Sequence, residues 1–401
     1  MKKILIFTPH FYPETQIIND LIFDLNNEFK FTIITSFPNY PDRKLFKKYK
    51  PWLHSISRQF KNVTIVRLPV IYRKGNNRFF LFCNYVSYIF SSLLITPFLF
   101  FFNFHKIFVF LTSPFSITIS PLILKFFKKT PMSIWVLDLW PETLEAFNFP
   151  LKKTVIKIIY RYTQLFYSQC MNIFISSEGF AKSRSLIRFK EIISFVPQWR
   201  RDMTLSSKNY ISPLIDKNKD DFIILFAGNM GRAQNLQNIF FAINKMKNIK
   251  NIKWIFLGDG SERRDFEEKV KKERINNVFF FGYVPINETD KYYKIADANL
   301  ISLIDSEAMN YVLPAKLQHC LGYGKPILSF SNGELSNFVI KNKIGLSARS
   351  KDYSQLCVNI IKLSNYTKKD LELISNNCKK LLNTTFNKEM IIQQIKIKAL
   401  N

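Results

Sequence analysis

The stretch FAGNMGRAQNL, residues 226–236, joins an apolar block, DFIIL, to a run with apolar residues at helical spacing. Gly228, Asn229 and Gly231 make the turn, and Arg232 follows at once. Glycine lets a backbone come close to an anion, and a helix behind it offers unpaired N–H groups and the positive end of a dipole. Arginine adds a planar fork suited to phosphate oxygens. The chemistry expected here is diphosphate binding, with a tight strand-to-helix turn carrying a solvated arginine as the plainer account. The spacing GxxG is neither GxGxxG nor a Walker A loop, so a dinucleotide or P-loop reading has no support.

Other strand ends carry polar groups. In WVLDLWPETLEAF, residues 135–147, an apolar strand ends at Asp138, and Glu142 opens a helix. A carboxylate placed there can bind sugar hydroxyls or take a proton. The plainer reading has Asp138 satisfying backbone donors of the turn and Glu142 favouring the helix start. In YVLPAKLQHCLGYGKPILSF, residues 311–330, Lys316 begins a short helix and can neutralise a leaving diphosphate, while Gln318 and His319 can reach a ribose or sugar. Gly324-Lys325-Pro326 reads as a structural turn. In FFFGYVPINETDKYY, the backbone of Gly282, Tyr283 and Val284 can bracket a flat base. His10 follows the first strand in FTPHFYPE, whereas His54 and His105 have no evident partner.

The elements that position these residues alternate. KILIF, KFTIIT, NVTIVRL, KIFVFLT, MSIWVLDL, MNIFIS and IISFVP read as strands separated by amphipathic stretches, which argues for a parallel sheet with helices on both faces. After a polar linker at 198–221, FIILFAG, IKWIFLGDG, VFFFGYV, ANLISLI and KPILSF repeat the pattern. A chain of 401 residues exceeds one ordinary core. Two α/β domains are therefore expected, at 1–200 and 201–401, with ligands at the carboxyl ends of the strands in a cleft between them. The tail NKEMIIQQIKIKALN reads as a last helix, about 385–400, that packs back on the first domain.

The net charge is +28, and no acidic residue occurs between Asp42 and Asp138, an interval holding 15 basic ones. Such a field attracts anionic lipid, nucleic acid or phosphorylated substrates; a solvated lysine-rich surface is the plain alternative. No basic stripe interleaved with aromatics and no nucleic-acid module is evident, so nucleic acid is not an expected partner. Cys83, Cys170, Cys320, Cys357 and Cys378 are scattered without a CxxC, which argues for a reduced, cytosolic chain with neither zinc site nor disulfide frame. The opening MKKILIFTPH suits a first strand better than a secretory signal. Residues 85–104, YVSYIFSSLLITPFLFFFNF, are uncharged over a length that could cross a bilayer. Serines, Pro97 and the strand-like KIFVFLTSP that follows favour instead a helix packed on a sheet, its aromatic face at the lipid interface and Arg73, Lys74, Arg78 and Lys106 flanking it. A single span is the other reading.

FPNYP, WVLDLWPE, AGNMGRAQNL, LGDG, FFFGYVP, ADANLISL and LPAKLQHCLGYGKPIL follow one another along nearly the whole chain. In that order they resemble glycosyltransferase family 4 (group 1), within it the bacterial branch that builds O-antigen and capsule repeat units, N-acetyl-L-fucosamine transferases included. The resemblance implies a GT-B fold, two doubly wound Rossmann-like domains facing a central cleft. It implies a nucleotide-sugar donor, expected to be UDP-linked, held mainly by the C-terminal domain. The acceptor implied for the N-terminal domain is a saccharide on undecaprenyl diphosphate at the cytoplasmic face of the inner membrane, where the protein sits peripherally. Neither a metal nor a cofactor besides the donor is implied. Joined to the residues above, the expected catalytic set is Asp138, Arg232 and Lys316. The donor set is Gly228, Asn229, Gly231, Gln234, Gly282, Tyr283, Val284, Gln318 and His319, and the acceptor set His10, Glu14, Asn39, Tyr40 and Glu142. The chain departs from the family where two glutamates eight positions apart precede the G-K-P turn: Tyr311 and His319 stand there, and Gln234 replaces the lysine after the glycine turn. The alternative activity is a GT-B epimerase acting on the nucleotide sugar alone; a basic nucleic-acid-binding protein is more distant.

Overall fold

The computed structural model describes residues 1–39, 46–50, 55–73, 78–147, 152–201, 217–285 and 288–401. Tyr40, His54, Lys74 and most of the linker lie outside them. The chain divides into two compact units, Met1–Pro197 with Glu389–Asn401, and Gln198–Lys388.

The first unit is an eight-stranded sheet ordered β3-β4-β2-β1-β5-β6-β7-β8. Its strands are β1 (Lys3–Phe7), β2 (Lys30–Ser36), β3 (Ile56–Phe60), β4 (Val63–Leu68), β5 (Lys106–Leu111), β6 (Met132–Val136), β7 (Asn172–Ile175) and β8 (Ile193–Phe195). All neighbours run parallel except β3, which pairs antiparallel with β4. Leu5 of β1 pairs with Thr32 on one side and Ile107 on the other, in the middle of the sheet. Residues 4–7, 107–111 and 132–136 are buried throughout, as expected of central strands covered on both faces. The helices are α1 (Ile17–Leu25), α2 (Arg78–Leu99), α3 (Ile119–Lys128), α4 (Glu142–Ala146) and α5 (Lys153–Ser168).

Two sequence expectations change here. The strand β3 was not expected, since ISRQF lacks an apolar run. The apolar helix begins seven residues earlier than the uncharged segment and ends at Leu99, because Pro97 and the turns after it close the last carbonyls: the amides of Phe100, Phe101 and Phe102 bond Pro97, Phe98 and Leu99. By length and composition α2 could cross a membrane. Its ends, however, lead from β4 and into β5, two strands of one sheet that a bilayer between them would separate. The spanning reading is dropped on that ground.

The second unit has six parallel strands in the order β11-β10-β9-β12-β13-β14. They are β9 (Phe222–Ala227), β10 (Ile252–Leu257), β11 (Val278–Gly282), β12 (Ala298–Ser302), β13 (Ile327–Phe330) and β14 (Gly345–Ala348). Between and after them lie α6 (Leu236–Lys245), α7 (Arg263–Lys272), α8 (Asp290–Ile295), α9 (Glu307–Asn310), α10 (Lys316–Leu321), α11 (Gly333–Lys341), α12 (Tyr353–Ser364) and α13 (Lys368–Asn383), while α14 (Lys388–Ile395) belongs, after its first residue, to the first unit. Phe226, Trp254, Phe256 and Phe266 fill the core, with the rings of Phe256 and Phe280 stacked at 5.3 Å. Numbered within the unit, the order is 3-2-1-4-5-6, and the connections change direction between β9 and β12. Loops part at such a switch point and leave a crevice at the carboxyl ends of the strands. The first unit has the same switch between β1 and β5.

Residues after Lys388 return to the first unit. Lys396 pairs with Glu28 at 2.6 Å, Asn172 Nδ2 donates to the Lys398 carbonyl at 2.7 Å, and Lys398 Nζ donates to Ser194 Oγ at 2.7 Å.

Candidate functional site

In the second unit, glycines lace together the loops after β9, β10 and β11. Gly228 has φ +139° and Gly258 φ +124°, conformations that side chains resist. A Cβ on Gly258 would stand 1.9 Å from the Gly228 carbonyl oxygen, so only glycine permits this approach. The Gly228 amide donates to the Leu257 carbonyl at 3.0 Å, Gly258 to Gly282 at 2.7 Å, and Met230 to Asp259 at 2.8 Å. Behind the turn, Ser302 Oγ donates to the Gln234 carbonyl at 2.5 Å and the Ile304 amide to Ala233 at 2.9 Å, tying the loop across the switch point to the end of β12. Asn235 takes φ +56° and opens α6 with no side chain capping its first turn. That helix start is a site where N–H groups and dipole favour an anion.

Two cations attend this turn. Arg232 is exposed, with Nε 3.9 Å from a carboxylate oxygen of Glu262. Lys316, the first residue of α10, donates from Nζ to Gln234 Oε1 and lies 4.5 Å from the centre of the Phe226 ring. Burial pushes its pKa down to about 8, against a smaller raising effect of Cys320. A Cβ on Gly228 would sit 3.6 Å from the same Nζ, so the ammonium reaches the glycine turn itself. Gln234 thus meets a lysine supplied by another element.

The remaining donor residues separate. Gly282 (φ +67°) holds up the Gly258 loop, with Arg263 packed where a Cβ would be; Tyr283 is exposed and Val284 half-buried. Gln318 is buried, and its Oε1 has no hydrogen-bond partner among the described residues. His319 stands edge-on to Tyr293 at 4.7 Å and to Tyr323 at 5.5 Å. Those two tyrosines stack at 4.6 Å, Arg200 covers Tyr323, and the Tyr323 hydroxyl donates to Asp290 at 3.0 Å. Burial first, then the Arg200 charge, push the His319 pKa down to about 4. The unfolded chain therefore binds a proton at His319 below pH 6.5 that the folded chain refuses until about pH 4. Stability rises with pH across that window and is lost as pH falls through it. Urea unfolding of wild type and His319→Phe at about pH 7 and pH 5 is expected to show the variant losing less, by about 1–2 kcal/mol.

In the first unit, the loop after β1 is built around a buried dyad. His10 Nδ1 lies 2.8 Å from Glu14 Oε2, and Glu14 Oε1 accepts the Asn39 amide at 2.6 Å. Asn19 Nδ2 donates to the Glu14 carbonyl, and Arg67 from the end of β4 donates to the Tyr12 carbonyl at 3.0 Å. Three residues of the acceptor set, His10, Glu14 and Asn39, are thus brought together. Asp138 lies after β6, half-buried; its Oδ2 accepts both the Ser113 amide at 2.9 Å and the Ser113 hydroxyl at 3.0 Å, and Trp140 Nε1 donates to that hydroxyl oxygen at 3.0 Å. Burial raises the Asp138 pKa while the two Ser113 bonds oppose the rise. Burial raises the pKa of Tyr85 on α2; Arg73, over its ring at 5.6 Å, opposes the rise, and the nearby Asp138 charge adds a smaller one. Glu142 is turned inward and accepts the Ser185 amide at 2.9 Å, with burial raising its pKa. His105 has a partner after all, since its Nδ1 accepts the Lys3 amide at 3.0 Å.

Sequence reading missed Ser113, Tyr85, Arg67 and Gly258 as participants. Only Gly258 left a signal, in the LGDG that ends β10.

Two doubly wound parallel sheets, each with its polar loops after the strands at the switch point, define the GT-B class of fold. HepE from Anabaena, solved in complex with UDP and glucose, superposes with a TM-score of 0.70 over 99% of each chain at 12% identity. Residues 209–380 match the family model for glycosyl transferases, group 1. Over 132 residues the chain is 26% identical to the probable glycosyltransferase WbjE of Pseudomonas aeruginosa, covering 32% of each protein. Over 102 residues it is 28% identical to the putative colanic acid biosynthesis glycosyl transferase WcaI of Escherichia coli, covering 25% of each. These matches span a third or less of the curated relatives.

Proposed function

We propose that the chain is a glycosyltransferase that moves a sugar, of N-acetylated amino or deoxy type, from a UDP-linked donor to a saccharide carried on undecaprenyl diphosphate. It would do so in O-antigen or capsule repeat-unit synthesis at the cytoplasmic face of the inner membrane. The observation that carries this reading is the convergence of the glycine-laced turn, the uncapped start of α6, Arg232 and Lys316. HepE, alike in fold, holds UDP and glucose, and both curated relatives are named as glycosyltransferases, which supports the same direction.

In the proposed step the bond between the sugar's anomeric carbon and the β-phosphate oxygen breaks, and that oxygen keeps the electron pair. Arg232, Lys316 and the amides of the turn stabilise the charge that grows there. An acceptor hydroxyl oxygen forms the new bond to the anomeric carbon, and its proton passes to Asp138. The His10–Glu14–Asn39 set fixes the loop on which the acceptor rests. The proposed step uses no metal and no cofactor besides the donor.

The test supplies UDP-sugars with an undecaprenyl-diphosphate-linked saccharide and follows both UDP release and the glycosylated lipid. Acceptor-dependent release is expected, and Arg232→Ala should lower it about 10²-fold. Isomerised nucleotide sugar formed without lipid acceptor would replace this reading by the epimerase. Unchanged transfer in the variant would remove Arg232 from the site.

A further inference from the structure

The helix α2 is inside out. Its inner face, Asn84, Tyr88, Ser92, Thr96 and Leu99, is buried and mostly polar or small, with Ser92 fully buried. Two of the inner hydroxyls find partners on the helix itself, Ser92 Oγ donating to the Ile89 carbonyl at 2.9 Å and Thr96 Oγ1 to Ser92 at 2.7 Å, while the Tyr88 hydroxyl has none among the described residues. The outer face carries Phe79, Phe82, Phe90, Leu94, Phe98 and, just beyond the end, Phe101, with Leu94 74% and Phe101 85% exposed. A helix whose only neighbours are its own sheet and water places its residues the other way round.

The exposed apolar surface continues onto α3. Phe127, 77% exposed, meets Phe100 edge-on at 5.7 Å, and Phe126 and Phe102 are exposed beside them. Lys128 clamps the two helix ends together, donating from Nζ to the carbonyls of Phe100 at 2.8 Å and Phe102 at 2.5 Å. Lys125 and the exposed Lys129 stand in the same turn. No carboxylate interrupts this surface, because none exists between Asp42 and Asp138. A broad apolar face marks an interaction site. The lysines gathered at its α3 end, Lys125, Lys128 and Lys129, and the complete lack of acids select the partner: anionic headgroups over acyl chains.

We propose that the outer face of α2 with the end of α3 docks on an anionic lipid bilayer, α2 lying in the plane of the interface. The stripe runs the length of the helix, so both ends rest at the membrane, including the first turns that carry Tyr85 toward Asp138. A lipid-borne acceptor then reaches Asp138 without leaving the surface. Docking itself does not depend on the transfer reading.

Flotation of the full chain with vesicles that contain no acceptor tests it. Binding to phosphatidylcholine vesicles containing phosphatidylglycerol is expected to exceed binding to phosphatidylcholine alone, and to weaken with salt. Phe98→Ser/Phe101→Ser/Phe127→Ser should cut binding to both about tenfold or more. Lys125→Gln/Lys129→Gln should abolish the anionic preference while leaving the residual binding to neutral vesicles. Wild type that stays unbound on anionic vesicles at low salt overturns the proposal, as does equal binding of the phenylalanine variant. A wild-type dimer that this variant dissociates overturns it in favour of a contact between copies. Because the vesicles hold neither donor nor acceptor, these failures leave the sugar-transfer assay to be judged separately.

Discussion

Lys316→Met is expected to melt at a higher temperature than the wild-type chain at neutral pH, and to lose most of its affinity for UDP. Both follow from where the ammonium sits. Nζ lies over the Phe226 ring and donates to a neutral amide, Gln234, and burial brings its pKa from 10.5 to about 8. Between those values the unfolded chain holds a proton that the folded one releases, so stability rises with pH through the window. Below about pH 8 the full penalty of the buried charge is present. Discounted for its partial exposure, that penalty is about 1–2 kcal/mol, or a rise of about 3–6 °C when methionine removes the charge and keeps the length. The same charge is what a diphosphate would pair with, so affinity should fall about 10²-fold. Thermal unfolding with and without UDP reads both effects together: the wild type should gain from UDP what the variant has gained already. A variant less stable than the wild type would mean that the ammonium is satisfied in the free protein.

Asp138→Asn should lower turnover about 10³-fold while leaving UDP binding unchanged. The amide keeps the size of the side chain and can still accept from Ser113, so the loop after β6 stays folded while its basicity is gone. The carboxylate has a raised pKa because burial outweighs the two Ser113 bonds. If Asp138 works in its charged form, the rate is lost as pH falls through that pKa. Ser113→Ala removes the hydroxyl bond of 3.0 Å and leaves the amide bond. The carboxyl pKa then climbs further, and the acid limb of kcat/KM moves to higher pH. Equal pH profiles for wild type and Ser113→Ala would show that Asp138 does not titrate in the step.

The central strands were legible because a parallel sheet covered on both faces demands unbroken apolar runs: KILIF, KIFVFL and MSIWV have no other use in a folded chain. Edges carry a weaker signal. The sequence ISRQF of β3 is largely exposed and pairs on one side only, so nothing forces an apolar pattern on it. Likewise the GLSA of β14 is short and only partly buried. At the site, Gly228 and Gly231 were legible because a turn with close backbone approach restricts the residue type. The partner of that approach, Gly258, lies on another strand end, and no local pattern says which loops touch. Ser113 and Tyr85 escaped for the same reason: serine and tyrosine are ordinary residues until Asp138 is placed beside them. Glu142 shows the converse, a carboxylate at a helix start that is turned inward to hold the Ser185 amide.

The account rests on a diphosphate held by the turn after β9. Titration calorimetry of the full chain with UDP, UMP and inorganic phosphate addresses this without any knowledge of sugar or acceptor. UDP should saturate a single site, and UMP should bind at least about tenfold more weakly, since it lacks the second phosphate that Lys316 and Arg232 would meet. UMP binding as tightly as UDP, or no binding of either, would contradict it.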